Sequence, residues 1–593
     1  MESQYAIGID LGTTNSVIAY AKLDDEQAEV KLLEIPQLVS PSTVESRLNL
    51  PSFCYLSTEA EKEKGVYDLE WEKGRDYVVG ECARRQAADV PSRTVAAAKS
   101  WLAHSRVDRR EDILPWGASQ DVKKISPVEA SNRYLLHLVN VWNQNFPDAP
   151  IGDQQVVLTV PASFDASARE LTMEAANRAG LSENLVLLEE PQAAVYAWLN
   201  DSGDSWREKL RVGETLLVFD VGGGTTDFTL IGVEEEQGDL VLKRIAVGNH
   251  TLVGGDNMDL TLAHNAHQVF KDKGVNLDPW QSVALWHSCR NAKEQLLSIG
   301  GPPTHPVTVL GRGSKLIGGT VSADLSADET KKLLVDGFFP LCPADAQPAK
   351  RAASGFRELG LPFETDTGIT RHLARFLRVQ GEGEHSVHPT HILFNGGVFK
   401  ADIFKMRALE VVQSWFGKEV LPLEQSPDLD YAVSRGAAYY AIVKQGKGLR
   451  IRGGTARSYY VGIETAGPAV PGMERPLSAL CVVPFGMEEG TEIDVSSEEI
   501  GLVVGEPAKF RFFSSSVRKQ DQAGDVLPYI NESEMDETDS LEANLPGDEK
   551  FQEGYVPVKF QSRITELGMF ELWCKSTVSD DSWKLEFSVR DKQ

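Results

Sequence analysis

LLVFDVGGGTTDFTLIGV, residues 216–233, decides how this chain reads. Four apolar and aromatic residues followed by Asp220 form a buried-looking strand. A turn of three glycines and two threonines follows, and FTLIGV is the return strand. Apolar runs about a Gly-rich turn predict a β-hairpin. The same pattern occurs two hundred residues earlier in YAIGIDLGTTNSVIAYA, residues 5–21, with Asp10 in the place of Asp220. Two matched hairpins, each with an Asp at the strand end and a Gly/Thr turn, predict two lobes built alike. Turns free of bulky side chains can point backbone N–H groups at phosphates. Asp10 and Asp220 could then face each other across a cleft and hold a hydrated cation.

Strands and helices alternate around the two hairpins. QVVLTV (155–160) reads as a strand, followed by Pro161 and a helix over 166–179. Residues 186–188 read as a strand, Glu189-Glu190-Pro191 follow, and 192–199 read as a helix. Further helices are expected over 260–273, 281–298 and 431–444, with a strand over 391–394 that enters Asn395-Gly396-Gly397, itself read as a turn. Such alternation indicates an α/β fold. Residues 446–457 are rich in Gly, Lys and Arg and read as a basic linker carrying Arg450, Arg452 and Arg457. Beyond it come short strand-like runs at 479–483, 492–495, 509–513, 556–560, 570–574 and 583–589, which predict an all-β module. Residues 531–551 are acidic and read as a mobile loop. Residues 51–74 read as an enlarged surface insertion.

The chain has 593 residues and a formal charge of −27. That excess of acid argues against nucleic-acid binding, which draws affinity from cations on phosphate, and against docking on anionic membranes. Apolar residues make up 41% and charged residues 25%, as in ordinary globular proteins. Six scattered cysteines without a CxxC pair, and the lack of a secretory leader pattern at the first residues, point to a reducing, cytoplasmic setting. His385, His388 and His391 lie near one another before a strand and read as loop histidines rather than a metal site.

Six ordered segments carry a resemblance. IGIDLGTTNS (7–16), VVLTVPASFDASAR (156–169), LEEPQAAVYAWL (188–199), LVFDVGGGTTDFTLI (217–231), TLVGGDNMD (251–259) and NGGVFK (395–400) with LDYAVSRGAA (429–438) resemble the nucleotide-binding motifs of the DnaK-type seventy-kilodalton heat-shock chaperones. VGECARRQAADVPSRTVAAAKSWLA (79–103) resembles their segment with the catalytic lysine, and YYVGIETAG (459–467) the start of their substrate domain. The resemblance implies an actin-like, two-lobed ATPase with ribonuclease H-like halves over 1–445, the linker, and a β-sandwich-like substrate-binding module over 458–593 without a full helical lid. It implies an ATP-hydrolysing chaperone in protein folding and stress response. Its partners would be unfolded or extended polypeptide, a J-domain co-chaperone and a nucleotide exchange factor. A nucleotide-regulated co-chaperone or exchange factor with little turnover is the alternative.

By the same resemblance, Gly12, Thr13, Thr14 and Asn15 from one hairpin and Gly222, Gly223, Gly224 and Thr225 from the other cradle the phosphates of ATP or ADP. Asp10 and Asp220 bind Mg²⁺ through waters. Glu190 and Asp227 orient the attacking water and help hold K⁺ where the family's monovalent sites are kept. Lys99 stabilises charge on the γ-phosphate, with Thr13 and Thr225 beside it. Pro161 and Arg169 match the family's interdomain switch. Gly254, Gly255, Asp256, Lys293, Ser298, Gly396, Gly397, Lys400 and Asp430 fall on the adenosine side. There the chain departs from type. The family's second acid is Asn257, and the helix that usually presents Glu, Lys, Arg and Ser carries Arg290, Lys293, Glu294 and Leu297. Lys400 replaces an adenine-stacking Arg, and a lysine stacks less well than a planar guanidinium. A looser adenosine pocket is expected.

Overall fold

A computed structural model gives the architecture. It describes the whole chain except residues 1–2, 24–28, 105–106, 182–184, 237–238, 250, 311–319, 350–360, 362–363, 382–385, 425–427, 446–450, 452–453, 456, 465–476, 489, 497–498, 504–506, 539–540, 545–554, 566–569, 580 and 588–593.

Both hairpins form, and each is the centre of a sheet with the same plan. In the first sheet, β1 (Tyr5–Leu11) pairs antiparallel with β2 (Asn15–Lys22), which pairs with β3 (Lys31–Leu32). On the other side of β1 lie β4 (Gln155–Val160) and then β5 (Val186–Glu189), both parallel to it. In the second sheet, β6 (Thr215–Val221) pairs with β7 (Thr226–Glu236), which pairs with β8 (Asp239–Val247). β9 (His391–Asn395) and β10 (Leu421–Pro422) add in parallel on the far side. Both orders therefore read return strands, Asp strand, parallel strand, parallel strand. The buried strands are near-continuous apolar runs, as strands covered on both faces require.

Helices supply that cover. Short α1 (Ala98–Leu102) and longer α2 (Ala166–Arg178) lie on the first sheet's side, and α2 is started by the Asp165 carboxylate, which accepts from the Ala168 N–H at 2.8 Å. α3 (Glu190–Ser202) and the later α6 (Ala432–Lys444) fill the space between the sheets. Their apolar faces share one core with Ala6, Val157 and Val186 of the first sheet and Leu216, Val218 and Leu393 of the second. α4 (Gly255–Asp272) and α5 (Pro279–Leu297) cover the other face of the second sheet, where Leu217, Phe219, Met258 and Leu296 join a separate core.

Among the described residues no helix follows Lys444. Two antiparallel sheets do, one centred on the strands Ser458–Glu464 and Leu477–Val483, the other on Tyr555–Ile564 and Phe570–Ser576. Val461, Leu480 and Val482 of the first meet Val558, Phe560 and Leu572 of the second in one core, which also takes in Ala166 of α2. No described helix is long and apolar enough to cross a membrane.

Four readings change. The run 509–513 is two strands, Pro507–Phe510 and Phe512–Ser515, which enter different sheets. The described part of the acidic segment is not a loop throughout. Asp536–Glu537 pairs with the strand Phe512–Ser515, and Leu541–Asn544 pairs with Pro507–Phe510. Its acids have arginine partners that fix it: Glu534 with Arg518, Asp536 with Arg457, Glu537 with Arg511. Of the linker arginines, Arg450 and Arg452 lie outside the described residues, while Arg457 is buried and turned inward to Ser514 and Asp536. Ile451 is packed with α3 and α6, and its N–H donates to the Tyr196 hydroxyl at 2.7 Å. Residues 51–74 are no mere insertion. Phe53, Tyr55, Tyr67 and Leu69 build a core of their own, hidden from a sequence reader by the charged helix Glu59–Glu63.

The close approach of α3 and α6 rests on Gly436, where a Cβ would stand 1.7 Å from the Ala193 carbonyl oxygen and 2.8 Å from the Ala197 nitrogen. Backbone cannot yield as a side-chain tip can. Gly436→Ala should therefore destabilise the fold by about 2 kcal/mol or more, the scale of overpacking. Gly337→Ala, inside the helix Ala327–Phe338 with open space around its Cβ, should instead stabilise by about 1 kcal/mol. Urea unfolding followed by circular dichroism checks both signs.

Candidate nucleotide site

A cavity of about 600 Å³ opens between the two sheets. The turns of both hairpins line it, and they meet face to face. A Cβ on Gly223 would stand 2.0 Å from the Thr14 hydroxyl, and one on Gly224 would stand 3.1 Å from Thr13 Cγ2. At Gly223 a side chain is thus opposed by close approach to the facing turn. Each turn is braced from outside. Ser52 donates from its hydroxyl to the Gly12 carbonyl at 2.7 Å and from its N–H to the Thr14 carbonyl at 2.8 Å. The Gly255 and Asp256 N–H groups donate to the Gly222 and Gly223 carbonyls at 3.0 and 2.7 Å. A Cβ on Gly254 would meet those carbonyls at 2.8 and 2.6 Å, which ties the start of α4 to the turn.

Asp10 and Asp220 close the ends of β1 and β6 in equivalent register, opposite Val17 and Asp227. Thr159 donates to Asp10 at 3.2 Å, and the Asn395 amide donates to Asp220 at 2.7 Å. Asn395 is thus not a turn residue. It ends a parallel strand in register with Asp220 and orients its carboxylate. Asp227 accepts from the Ser163 hydroxyl at 2.8 Å, a bond from one sheet's side to the other.

Lys99 and Glu190 form a short, buried ion pair over the same floor. Lys99 sits in the first turn of α1, behind Ala97 at φ 54°. A left-handed alanine costs about 1 kcal/mol or more, and here it turns the helix so that Lys99 enters the cavity. Glu190 opens α3, where a carboxylate is favoured by the helix dipole.

Burial pushes the Asp220 carboxyl up to about 7; Asn395 opposes this, and Asp227 and Asp10 add to it. Burial likewise raises Asp10, against Lys99 and Thr159, and raises Glu190, against Lys99. For Lys99 burial acts the other way, but Glu190 and Asp10 outweigh it and hold the ammonium charged. Four carboxylates with one lysine make a donor set that fits a cation. Among the described residues no group of three or more His, Cys, Asp or Glu is arranged to hold a metal ion.

The far end of the cavity holds the residues read as the adenosine side. Asp256 and Asp259 are balanced by Arg290 and Lys293: Arg290 pairs with Asp256 and, at 2.8 Å, with Asp259, and Lys293 meets Asp259 at 2.6 Å. The basic residue at 290 is thereby neutralised inside the wall. Asn257 caps its own helix, accepting from the Gly254 N–H at 2.9 Å, a role that needs no charge. Lys400 is paired with Asp430. Ser298 lines the rim, and its hydroxyl is used on the Gln295 carbonyl at the helix end. Sequence reasoning missed Ser52, Ala97, Thr159, Ser163 and Arg84, the last also lining the cavity. Only the spacing of Asn395 from its strand start could have revealed a partner for Asp220.

His388 stacks edge-on against Phe416, with ring centroids 4.7 Å apart, and His391 lies in β9 beside Thr390; His385 is outside the described residues.

Residues 69–301 match the family model described as Hsp70 protein. The chain is 29% identical over 312 residues to "Chaperone protein DnaK" of Stenotrophomonas maltophilia (strain R551-3), covering 49% of this chain and 43% of that protein. It is 29% identical over 321 residues to "Chaperone protein dnaK" of Phaeodactylum tricornutum (strain CCAP 1055/1), covering 50% and 44%. The same shares and identity hold over 320 residues for "Chaperone protein dnaK" of Trieres chinensis. The match thus spans less than half the length of these relatives. Through the matched span, which holds Lys99, Glu190, Asp220, Asp227 and the second Gly/Thr turn, the chain is similar to Hsp70 proteins.

Proposed function

We propose that this chain is an ATP-hydrolysing molecular chaperone of the DnaK type. Residues 1–445 would be a two-lobed, actin-like ATPase with ribonuclease H-like halves, 446–457 its linker, and 458–593 a β-sandwich-like module that takes extended polypeptide in a nucleotide-dependent way. The observation that carries the reading is the face-to-face approach of the two Gly/Thr turns above Asp10, Asp220, Glu190 and Lys99.

In this reading the backbone N–H groups of 12–15 and 222–225 cradle the β- and γ-phosphates from both sides. Asp10 and Asp220 hold hydrated Mg²⁺, which when bound neutralises phosphate charge. Glu190 and Asp227 align the attacking water and face K⁺ where it binds, and Thr13 and Thr225 complete the polar wall. Lys99 lies where negative charge grows on the γ-phosphoryl group, and Glu190 holds it there. Catalysis of phosphoryl transfer is mostly such positioning and electrostatics. The adenosine side, with Lys400 tied to Asp430 and Glu294 in place of a cation, supports weaker base stacking than is usual for the family. A J-domain protein, an exchange factor and a cytoplasmic setting belong to the same proposal.

Lys99→Ala should lower the single-turnover rate of ATP hydrolysis by about a hundredfold or more, the scale of losing one preorganised charge at the reacting group. ADP affinity should change far less. Negligible hydrolysis by the wild-type chain would favour nucleotide-regulated binding with little turnover instead.

The raised Asp220 carboxyl sets a pH dependence. Cation binding needs the ionised form, so below about pH 7 binding of Mg²⁺–ADP must expel a proton. Affinity should rise with pH and level off above about 7. Calorimetry in two buffers of different ionisation enthalpy, on the acid side of that point, should register the released proton, and Asp220→Asn should reduce it.

A further inference from the structure

Two adjacent glutamates end β5 and open α3, and they serve different spaces. Glu190 lines the large cavity. Glu189 lines a small enclosed space on the other side of the chain, about 50 Å³, roofed by the C-terminal strands through Arg457, Tyr459, Ile564 and Phe570. There the Glu189 carboxylate accepts from Arg169 of α2 at 2.8 Å and from Arg244 of β8 in a shorter bond. The Glu189 and Arg244 side chains are 8% and 3% exposed. Because Glu189 belongs to the first sheet and Arg244 to the second, this buried pair ties the two sheets together one residue along the chain from the Lys99–Glu190 pair.

The roof is anchored on both sides of the same seam. Ala166 of α2 enters the core of the C-terminal sheets. The Lys519 ammonium donates to the Ile245 carbonyl at 3.0 Å, one residue from Arg244, and Arg457 donates to Asn249 at 3.3 Å. The Glu189 carboxylate is thus buried between two guanidiniums, and buried charges deprived of a partner are strongly unfavourable. Any shift of β8 relative to β5 must move Glu189, and with it the next residue in the chain.

We propose that Glu189, clamped between Arg169 and Arg244, is a positioning residue for Glu190. It fixes the first turn of α3 so that the Glu190 carboxylate meets Lys99, and it makes that geometry depend on the relative placement of the two sheets. The inference rests on the hydrolytic reading for its kinetic consequence, but not for its structural one.

The test uses the full chain and two readouts. Arg244→Met should lower the single-turnover rate of ATP hydrolysis about tenfold with ADP affinity within about threefold of wild type, and Arg244→Lys should recover much of the rate, since a loss confined to the reacting geometry lowers kcat without uniform loss of binding. Hydrogen exchange should rise in peptides covering 186–199 and stay unchanged in those covering 5–22. If Arg244→Met does not fold, Glu189→Asp, which keeps the charge and shortens its reach, is read by the same split. A folded variant with wild-type rate and exchange overturns the proposal, as does parallel loss of rate and affinity. If the wild type binds ADP but does not hydrolyse ATP, only the hydrolytic reading fails, and the exchange pattern still decides for or against the clamp.

Discussion

Negative charge concentrated at the floor of one cleft is the constraint on which the rest of this structure depends. Asp10, Asp220, Glu190 and Asp227 line the same cavity, and Lys99 is the ammonium set among them. Burial holds Asp10, Glu190 and Asp220 above their ordinary range; such charges are favoured where a cation stands among them. The two Gly/Thr turns line the same cavity and approach each other closely. Neither half of that arrangement works alone, since each sheet contributes one Asp and one turn.

The fold exists to bring those halves together. α3 and α6 set the spacing of the sheets, and glycine at 436 lets them touch. Hydrogen-bond partners hold individual groups: Ser163 reaches Asp227 from the other sheet's side, Asn395 holds Asp220 from the neighbouring strand, and Ser52 braces the first turn. The C-terminal strands bear on the same seam through Ala166, Lys519 and Arg457. These contacts lie on both sheets, Ala166 following a strand of the first and Ile245 lying in the second.

Much of this was legible in the sequence because the hairpins are local. Strand, turn and return strand lie within about twenty residues, and a repeated apolar–Asp–Gly/Thr pattern survives without tertiary context. The Lys99 segment and Glu190-Pro191 were legible only by resemblance, since a lone lysine or glutamate has no period. What stayed hidden was long-range. Asn395 looks like any residue before two glycines until β9 is placed beside β6. The acidic segment after residue 531 looks unsupported until Arg457, Arg511 and Arg518 are folded against it. Arg290 reads as a lost acid, yet with Asp256, Asp259 and Lys293 it closes a balanced network. Charge compensation between distant residues leaves no mark on local pattern.

Calorimetric titration of the full chain with ADP, with and without Mg²⁺, tests the central claim most directly. If the carboxylate floor serves a hydrated cation beneath a phosphate cradle, removing Mg²⁺ should weaken ADP at least about tenfold, because phosphate would then face uncompensated carboxylates. Equal affinity with and without the metal would contradict the account.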